Sequence, residues 1–386
     1  MKKQLTRIAS WMLLATMGQA GAFAQDIRID INQVYPEKTI SLQKVADVKY
    51  IPLETTDEVL FNGIVTNLSA EGIAGFNKKE GDILVFDGTG KAIASFNHTG
   101  QGPNEYNKIY HLDVDWKQKE VYVQDNFRQK IRIYGLDGRH LRTIDLQETM
   151  QQGDLYSFSD TRLIYYAQPK SKPVTAYEPV TLLSKKDASK VTLPFTKTDD
   201  NLVKATGGPF GDMKMSAKNV NLLCKKGDEV YVNEVTADVI YRVESNHALT
   251  PVVERTPSYQ DASGQDFFLM LTGANARYYF FKRQQALLEF QGNAATDTKS
   301  TYVAYDRKEK QLLNPTFTNE DYPSQDIPMS KLLQCAGSAN RCYLQLEAFK
   351  LKEALAEGKL KGTLKSIAEK LDEEDNPVLM VVEFKK

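Results

Sequence analysis

The sequence predicts an all-β chain folded as a six-bladed β-propeller, with a short helical insertion in its C-terminal blade. Three internal matches carry that prediction. Ile83, Val85, Phe86, Gly90, Lys91, Ile93 and Phe96 return 48 positions later, without a gap, as Ile131, Ile133, Tyr134, Gly138, Arg139, Leu141 and Ile144. Val121 to Tyr134 returns 109 positions later, about two periods, as Val230 to Val243. A third copy, Val303, Tyr305, Asp306, Lys310 and Leu312, lies 218 to 219 positions beyond Val85, Phe86, Asp87, Lys91 and Ile93. Each copy reads as a strand, a polar turn containing glycine, and a returning strand. Short strands recurring at a period near 50 mark radial repetition, in which each small sheet needs its neighbours to cover its apolar faces. The competing reading, an irregular β-sandwich with accidental self-similarity, does not account for gap-free matches at related offsets.

Taken in order, the first 24 residues read as a signal peptide. Lys2, Lys3 and Arg7 are its basic start, Ile8 to Met17 its apolar centre, and Ala22, Phe23 and Ala24 its cleavage site. The mature chain then begins at Gln25 and forms a single domain over 25–386. No apolar run is long enough to span a bilayer, and no cysteine near the cleavage point offers a lipid attachment. Expected units centre on 60–96, 112–146, 155–195, 220–255, 276–314 and 340–386. Leu346 to Glu357 and Leu360 to Leu371 have helical spacing, so the insertion falls at about 346–372. Asp372 to Pro377 then ends the helix before a strand, Val378 to Phe384. Closing a ring requires both chain ends in one sheet, so Ile27 to Ile31 or Val48 to Leu53 is expected to join the last unit.

Composition limits the partners. Removing the leader takes three of the 49 basic residues and none of the 50 acidic ones, leaving 46 against 50, a formal charge of −4. That balance argues against nucleic acid. Cys335 and Cys342 are close enough to form a disulfide in an oxidising compartment, the alternative being two free, partly buried thiols; Cys224 reads as a small core residue. No cysteine pair has metal-ligand spacing, and no metal or cofactor is expected.

Candidate site residues cluster in two places. The segment Gly100, Gln101, Gly102, Pro103, Asn104, Glu105 and Tyr106 leads from an outer strand to the next inner strand. A rigid turn there would aim Gln101, Asn104 and Glu105 at a ligand, with His98 beside them. It would equally serve as a clasp, with Glu105 accepting backbone N–H groups and Tyr106 packed between blades. Thr206 to Asp212 looks like the same loop two units on. His111, Asp113 and Asp115 share one face of a strand by period-two spacing and would line the funnel around a cation, the alternative being a solvated or internally paired strand end. The remaining histidines, His140 in a hairpin turn and His247, read as exposed or incidental. The acidic run Asp372 to Asp375 reads as a solvated helix end. No nucleophile elbow, zinc-protease helix or phosphate loop occurs.

Ile51 to Thr56, Gly100 to Tyr106, Val121 to Asp125 and Asp375 to Leu379 together resemble a family of secreted six-bladed β-propellers of the Bacteroidetes, similar to TolB- and NHL-type propellers. The likeness spans nearly the whole mature chain, and its most specific element is the Gly-x-Gly-Pro-x-Glu-Tyr segment. The resemblance implies fold and compartment rather than an activity. The resulting expectation is a monomeric, periplasmic or secreted, non-catalytic propeller that recognises a glycan, peptide or envelope protein at its central funnel, using Gln101, Asn104, Glu105, Tyr106, His98 and His111. The alternative is a saccharide-acting lyase or hydrolase with acid–base groups gathered from several blades.

Overall fold

The computed structural model describes residues 27–386, except 126–128, 147–149, 152–153, 167, 170–176, 197–201, 207–212, 217–221, 259–266, 286, 292–293, 296–298, 333–336 and 339. The leader, the Thr206 to Asp212 loop beyond its first residue, and Cys335 with its proposed bond to Cys342 lie outside the described residues.

Six sheets form the ring. Blade 1 contains Ile64–Leu68, Gly72–Phe76, Ile83–Asp87 and Ala92–Phe96, from the innermost strand outward. Blade 2 contains Ile109–Asp115, Glu120–Asp125, Lys130–Gly135 and His140–Asp145. Blade 3 contains Leu155–Ser157, Arg162–Tyr166, Val180–Ser184 and Lys190–Thr192, and blade 4 contains Leu223–Lys226, Glu229–Val232, Val239–Val243 and Leu249–Thr256. Blade 5 contains Phe267–Ala274, Tyr278–Gln285, Ser300–Asp306 and Gln311–Thr318; blade 6 pairs Arg341–Leu346, Val378–Phe384 and Ala46–Pro52. The two helices of the insertion, Ala348–Ala356 and Gly362–Ala368, interrupt blade 6 as the spacing predicts.

Alternation along each middle strand explains why the blades need one another. Successive side chains of a strand point to opposite faces, so Val121 and Val123 pack toward blade 1 while Tyr122 packs toward blade 3. The same division yields an apolar cluster at every junction. Phe86 and Leu379 share the cluster between blades 1 and 6, Val85 and Val123 that between 1 and 2, and Ile133 and Leu163 that between 2 and 3. Ile164 and Val232 share the cluster between 3 and 4, Tyr231 and Phe281 that between 4 and 5, and Ala304 and Met380 that between 5 and 6. Cys224 belongs to the junction of blades 4 and 5, as a core residue should.

Ring closure uses one of the two N-terminal candidates. Ala46–Pro52 runs antiparallel to Val378–Phe384 along its whole length. Ile27–Asp30 instead adds a parallel fifth strand to blade 4, beside Leu249–Thr256. A third N-terminal strand, Glu37–Ser41, lies parallel to the second half of Gln311–Thr318. Residues 27–52 therefore lace three successive blades, and sequence patterning alone could not choose among free outer edges.

Gly90 and Gly138 show why the 48-residue repeat retains a glycine in its turn. Both adopt positive φ, +91° and +80°. A Cβ on Gly90 would lie 2.2 Å from the Pro52 carbonyl oxygen, and one on Gly138 would lie 2.6 Å from the Phe96 ring. In each case the end of the preceding blade's outer strand rests on the glycine. Gly90→Ala combines left-handed strain with a clash against backbone, and is expected to destabilise by about 2–4 kcal/mol. Denaturant unfolding checks this, and Gly358→Ala is the comparison: Gly358 also has positive φ but meets nothing within 4 Å.

Antiparallel order assigns the connections to faces. In blades 1 to 5 the first-to-second turns, 69–71, 116–119, 158–161, 227–228 and 275–277, all surround the end of the channel termed here the lower mouth. Each has four residues or fewer. Connections into the inner strands and between second and third strands, such as 97–108, 167–179, 193–222 and 286–299, leave and re-enter the blades at strand ends on the upper face. The helical insertion joins them there, because Asn376 bonds the backbone of Glu54, Val59 and Phe61 just before blade 1 begins.

Candidate functional site: the axial channel

Inner strands place polar side chains along the axis, and the densest group is centred on Asp113. Its carboxylate is fully buried. Oδ1 accepts from Asn67 Nδ2 of blade 1 at 2.8 Å, and Oδ2 accepts from the Ser157 amide of blade 3 at 2.8 Å and from Lys225 Nζ of blade 4 at 2.9 Å. One carboxylate in blade 2 thus bonds three other blades. Burial pushes the Asp113 carboxyl up, but the Lys225 ammonium and the Ser157 amide outweigh it and hold the group below the usual carboxylate range.

A second pair lies beside the first. Asp115 Oδ2 accepts from Lys185 Nζ at 2.7 Å, and that ammonium also donates to Ser157 Oγ at 2.9 Å. Here too burial opposes ionisation of the carboxyl, and Lys185 more than compensates. The network continues outward through Glu120, which accepts both Arg142 guanidinium nitrogens at 2.6 and 2.9 Å and the Tyr122 hydroxyl at 2.5 Å. Period-two spacing placed His111, Asp113 and Asp115 together on the strand. The two carboxylates are internally paired with lysines, and no group of three or more metal-type side chains occurs among the described residues.

His111 behaves differently from its strand neighbours. Its ring meets Tyr156 edge-on at 4.7 Å, and Nε2 is sealed from solvent without a hydrogen-bond partner in the structure. Burial lowers its pKa from 6.5 to about 4; Asp113 opposes that shift and Lys225 adds to it. The folded pKa therefore lies below the unfolded value, so the unfolded chain binds the proton more tightly between about pH 6.5 and about pH 4. His111 contributes to stability fully above that window and loses the contribution as pH falls through it. His111→Gln is expected to flatten the fall in melting temperature over this range, as thermal unfolding at stepped pH values will record. Asp154, raised by burial to about 6, acts in the opposite direction and is present in both proteins.

The Gly100 to Tyr106 segment forms a clasp between blades 1 and 2. Glu105 Oε2 accepts from the Gly102 amide at 2.7 Å, and a Cβ on Gly100 would lie 2.0 Å from that same oxygen. Tyr106 is fully buried; its hydroxyl donates to the Gly81 carbonyl at 2.7 Å and accepts from the His98 amide at 3.0 Å. His98 stacks on Tyr134 at 5.0 Å, and its Nε2 lies 2.7 Å from the Gly138 carbonyl. Tyr134 in turn donates to the Asn104 carbonyl at 2.7 Å. Gln101 and the Asn104 side chain face solvent on the upper side. His140 is half-buried at the start of its strand, 3.0 Å from Thr143 Oγ1, rather than exposed in the turn.

None of His98, His111 or Glu105 hydrogen-bonds a lysine, an arginine or a second carboxylate among the described residues. The residues that converge at the axis instead, Asn67, Ser157, Lys185 and Lys225, belong to blades 1, 3 and 4, so no local motif links them. Their one sequence signal is polarity inside strands that are otherwise apolar: Asn67 before Leu68, and Lys225 after Leu223 and Cys224.

A putative exported protein from Bacteroides fragilis superposes on this structure with a TM-score of 0.58 at 15% identity, covering 91% of this chain and 99% of that one. This likeness shows the propeller fold. A member of the DUF4221 family from Bacteroides vulgatus covers 89% of this chain and 98% of its own at 8% identity and a TM-score of 0.49. No curated protein matches in sequence. The model of the family described as a domain of unknown function, DUF4934, matches residues 26–383, so this six-bladed β-propeller chain belongs to that family.

Proposed function

We propose that the protein is an exported, non-catalytic binding propeller, a monomeric single domain over 25–386, that recognises a glycan, peptide or envelope protein at the upper mouth of its channel. One observation carries the reading: in blades 1 to 5 the connections around the lower mouth are short turns, while the longest intervals between blade strands begin and end at the upper mouth. Recognition residues concentrate on long connections held by a rigid scaffold. Exposed Tyr110, at the upper end of blade 2's inner strand, and the solvent-facing Gln101 and Asn104 supply contact chemistry there. The buried carboxylates of the channel are engaged with lysines, which counts against the saccharide-cleaving alternative.

An exported location is supported by the three-part leader pattern and by the name of the Bacteroides fragilis neighbour. No helix among the described residues is long and apolar enough to cross a membrane.

Thermal shift against peptidoglycan fragments, soluble envelope glycans and peptide pools tests the proposal, since a ligand bound only by the native state raises the melting temperature. The expected result is a rise of a few degrees with one class, abolished in a Tyr110→Ala, Asn104→Arg variant. No shift with any class, or turnover of a glycan, contradicts it.

A further inference from the structure

The lower mouth carries a separate cleft of about 310 Å³, walled by the first turns of blades 1 to 4 and by Gly337. We infer that this cleft is a binding site for a small ligand carrying a protonated primary amine. The inference does not depend on recognition at the upper mouth, and its test is independent of that one.

Its aromatic wall is fixed in advance. Trp116 Nε1 donates to Asn67 Oδ1 at 2.8 Å, and the far edge of the indole lies against Gly72, where a Cβ would come within 2.4 Å of Cη2. Phe158 adds a second ring to the lining. Because Asn67 also bonds Asp113, the indole is held by the same network that ties the blades. A wall that needs no ordering on binding lowers the entropic cost of association.

Charge selects the ligand. At the floor Lys225 is paired with Asp113 and Lys185 with Asp115, and on the rim Lys117 is paired with Asp160 at 2.5 Å. Two lining carboxylates, Glu71 and Asp228, are exposed and form no ion pair among the described residues. The cleft is thus left with an uncompensated negative charge beside an aromatic face. An ammonium group satisfies both features, through charge-assisted hydrogen bonds and the ring quadrupole; a carboxylate or phosphate satisfies neither. The volume suits one sugar ring or one amino-acid side chain.

Isothermal titration of the full-length mature protein with four probes tests this: glucosamine, N-acetylglucosamine, glucuronate and Nα-acetyl-lysine amide. Glucosamine is expected to bind at least about tenfold more tightly than N-acetylglucosamine, with glucuronate silent and affinity falling as salt rises. Binding by the lysine amide equal to or tighter than that by glucosamine would assign the amine to a peptide source; weaker binding would assign it to a sugar. The double substitution Glu71→Gln, Asp228→Asn, both on exposed turns, is expected to erase the preference for the amine while leaving the melting temperature unchanged. Equal or tighter binding of N-acetylglucosamine or glucuronate, binding unaffected by the double substitution, or silence with all four probes would overturn the inference.

Discussion

Asp113→Ala is expected to lower the unfolding free energy by about 3–5 kcal/mol, the largest effect of any single polar substitution in the channel. The side chain accepts three hydrogen bonds from three other blades, and its removal leaves the Lys225 ammonium buried without its carboxylate. Asn67 and the Ser157 amide lose their acceptor at the same time. Urea denaturation gives the value directly. A second variant, Lys225→Met, separates pair from packing: Asp113→Asn combined with Lys225→Met should recover part of the loss, because no desolvated charge remains, while the new amide nitrogen still opposes the Asn67 or Ser157 donor. If both single variants and the double variant were within about 0.5 kcal/mol of wild type, the network would be surface decoration.

The second large effect is expected at Asn376. Its side chain donates to the Glu54 carbonyl at 2.7 Å and the Val59 carbonyl at 2.8 Å, and its Oδ1 accepts from the Phe61 amide at 2.7 Å. Its own amide donates to Thr55 Oγ1 at 2.8 Å. One buried amide thereby fastens the entry to the last strand onto the segment that joins the N-terminal closing strand to blade 1. Alanine leaves two carbonyls and one amide without these partners, those of Val59 and Phe61 at buried positions, so a loss of about 3 kcal/mol is expected. The loss should appear as faster unfolding with a nearly unchanged folding rate if blade 6 docks late, which stopped-flow fluorescence resolves. Asn376→Asp is the informative companion, because it keeps one acceptor and removes both donors.

The hairpins were legible in the sequence because their determinants are local. Asp87 and Gly90, like Asp137 and Gly138, specify a turn within five residues, and the apolar runs on either side specify the strands. The helical insertion was legible for the same reason, from its period, whereas the need to pair a free edge narrowed the closing strand only to Ile27 to Ile31 or Val48 to Leu53. The lacing of Ile27–Asp30 onto blade 4 was not legible, since that four-residue strand fits any exposed edge and its site is set by contacts such as Arg28 with Glu254, 226 positions away. The channel divides in the same way. The shared face of His111, Asp113 and Asp115 follows from strand periodicity, whereas Lys185 and Lys225 reach it only because blades 3 and 4 curve around the axis. The Asp375 to Leu379 segment was recognisable as a family feature, yet the role of Asn376 depends on partners more than 300 residues away.

The account rests on a ring closed by its own two ends, and native-state hydrogen exchange of the intact chain tests that most directly. Ala46–Pro52 and Val378–Phe384 run antiparallel along their whole length, and Ala46–Pro52 is the outer strand of its sheet, so the amides followed are those of Val378–Phe384 and the alternate ones of Ala46–Pro52 that point to it. They are predicted to exchange as slowly as those of Gly72–Phe76 and Glu120–Asp125, and to lose protection at the same denaturant concentration. Early exchange of the two closing strands, with blades 1 to 4 still protected, would contradict a closed ring.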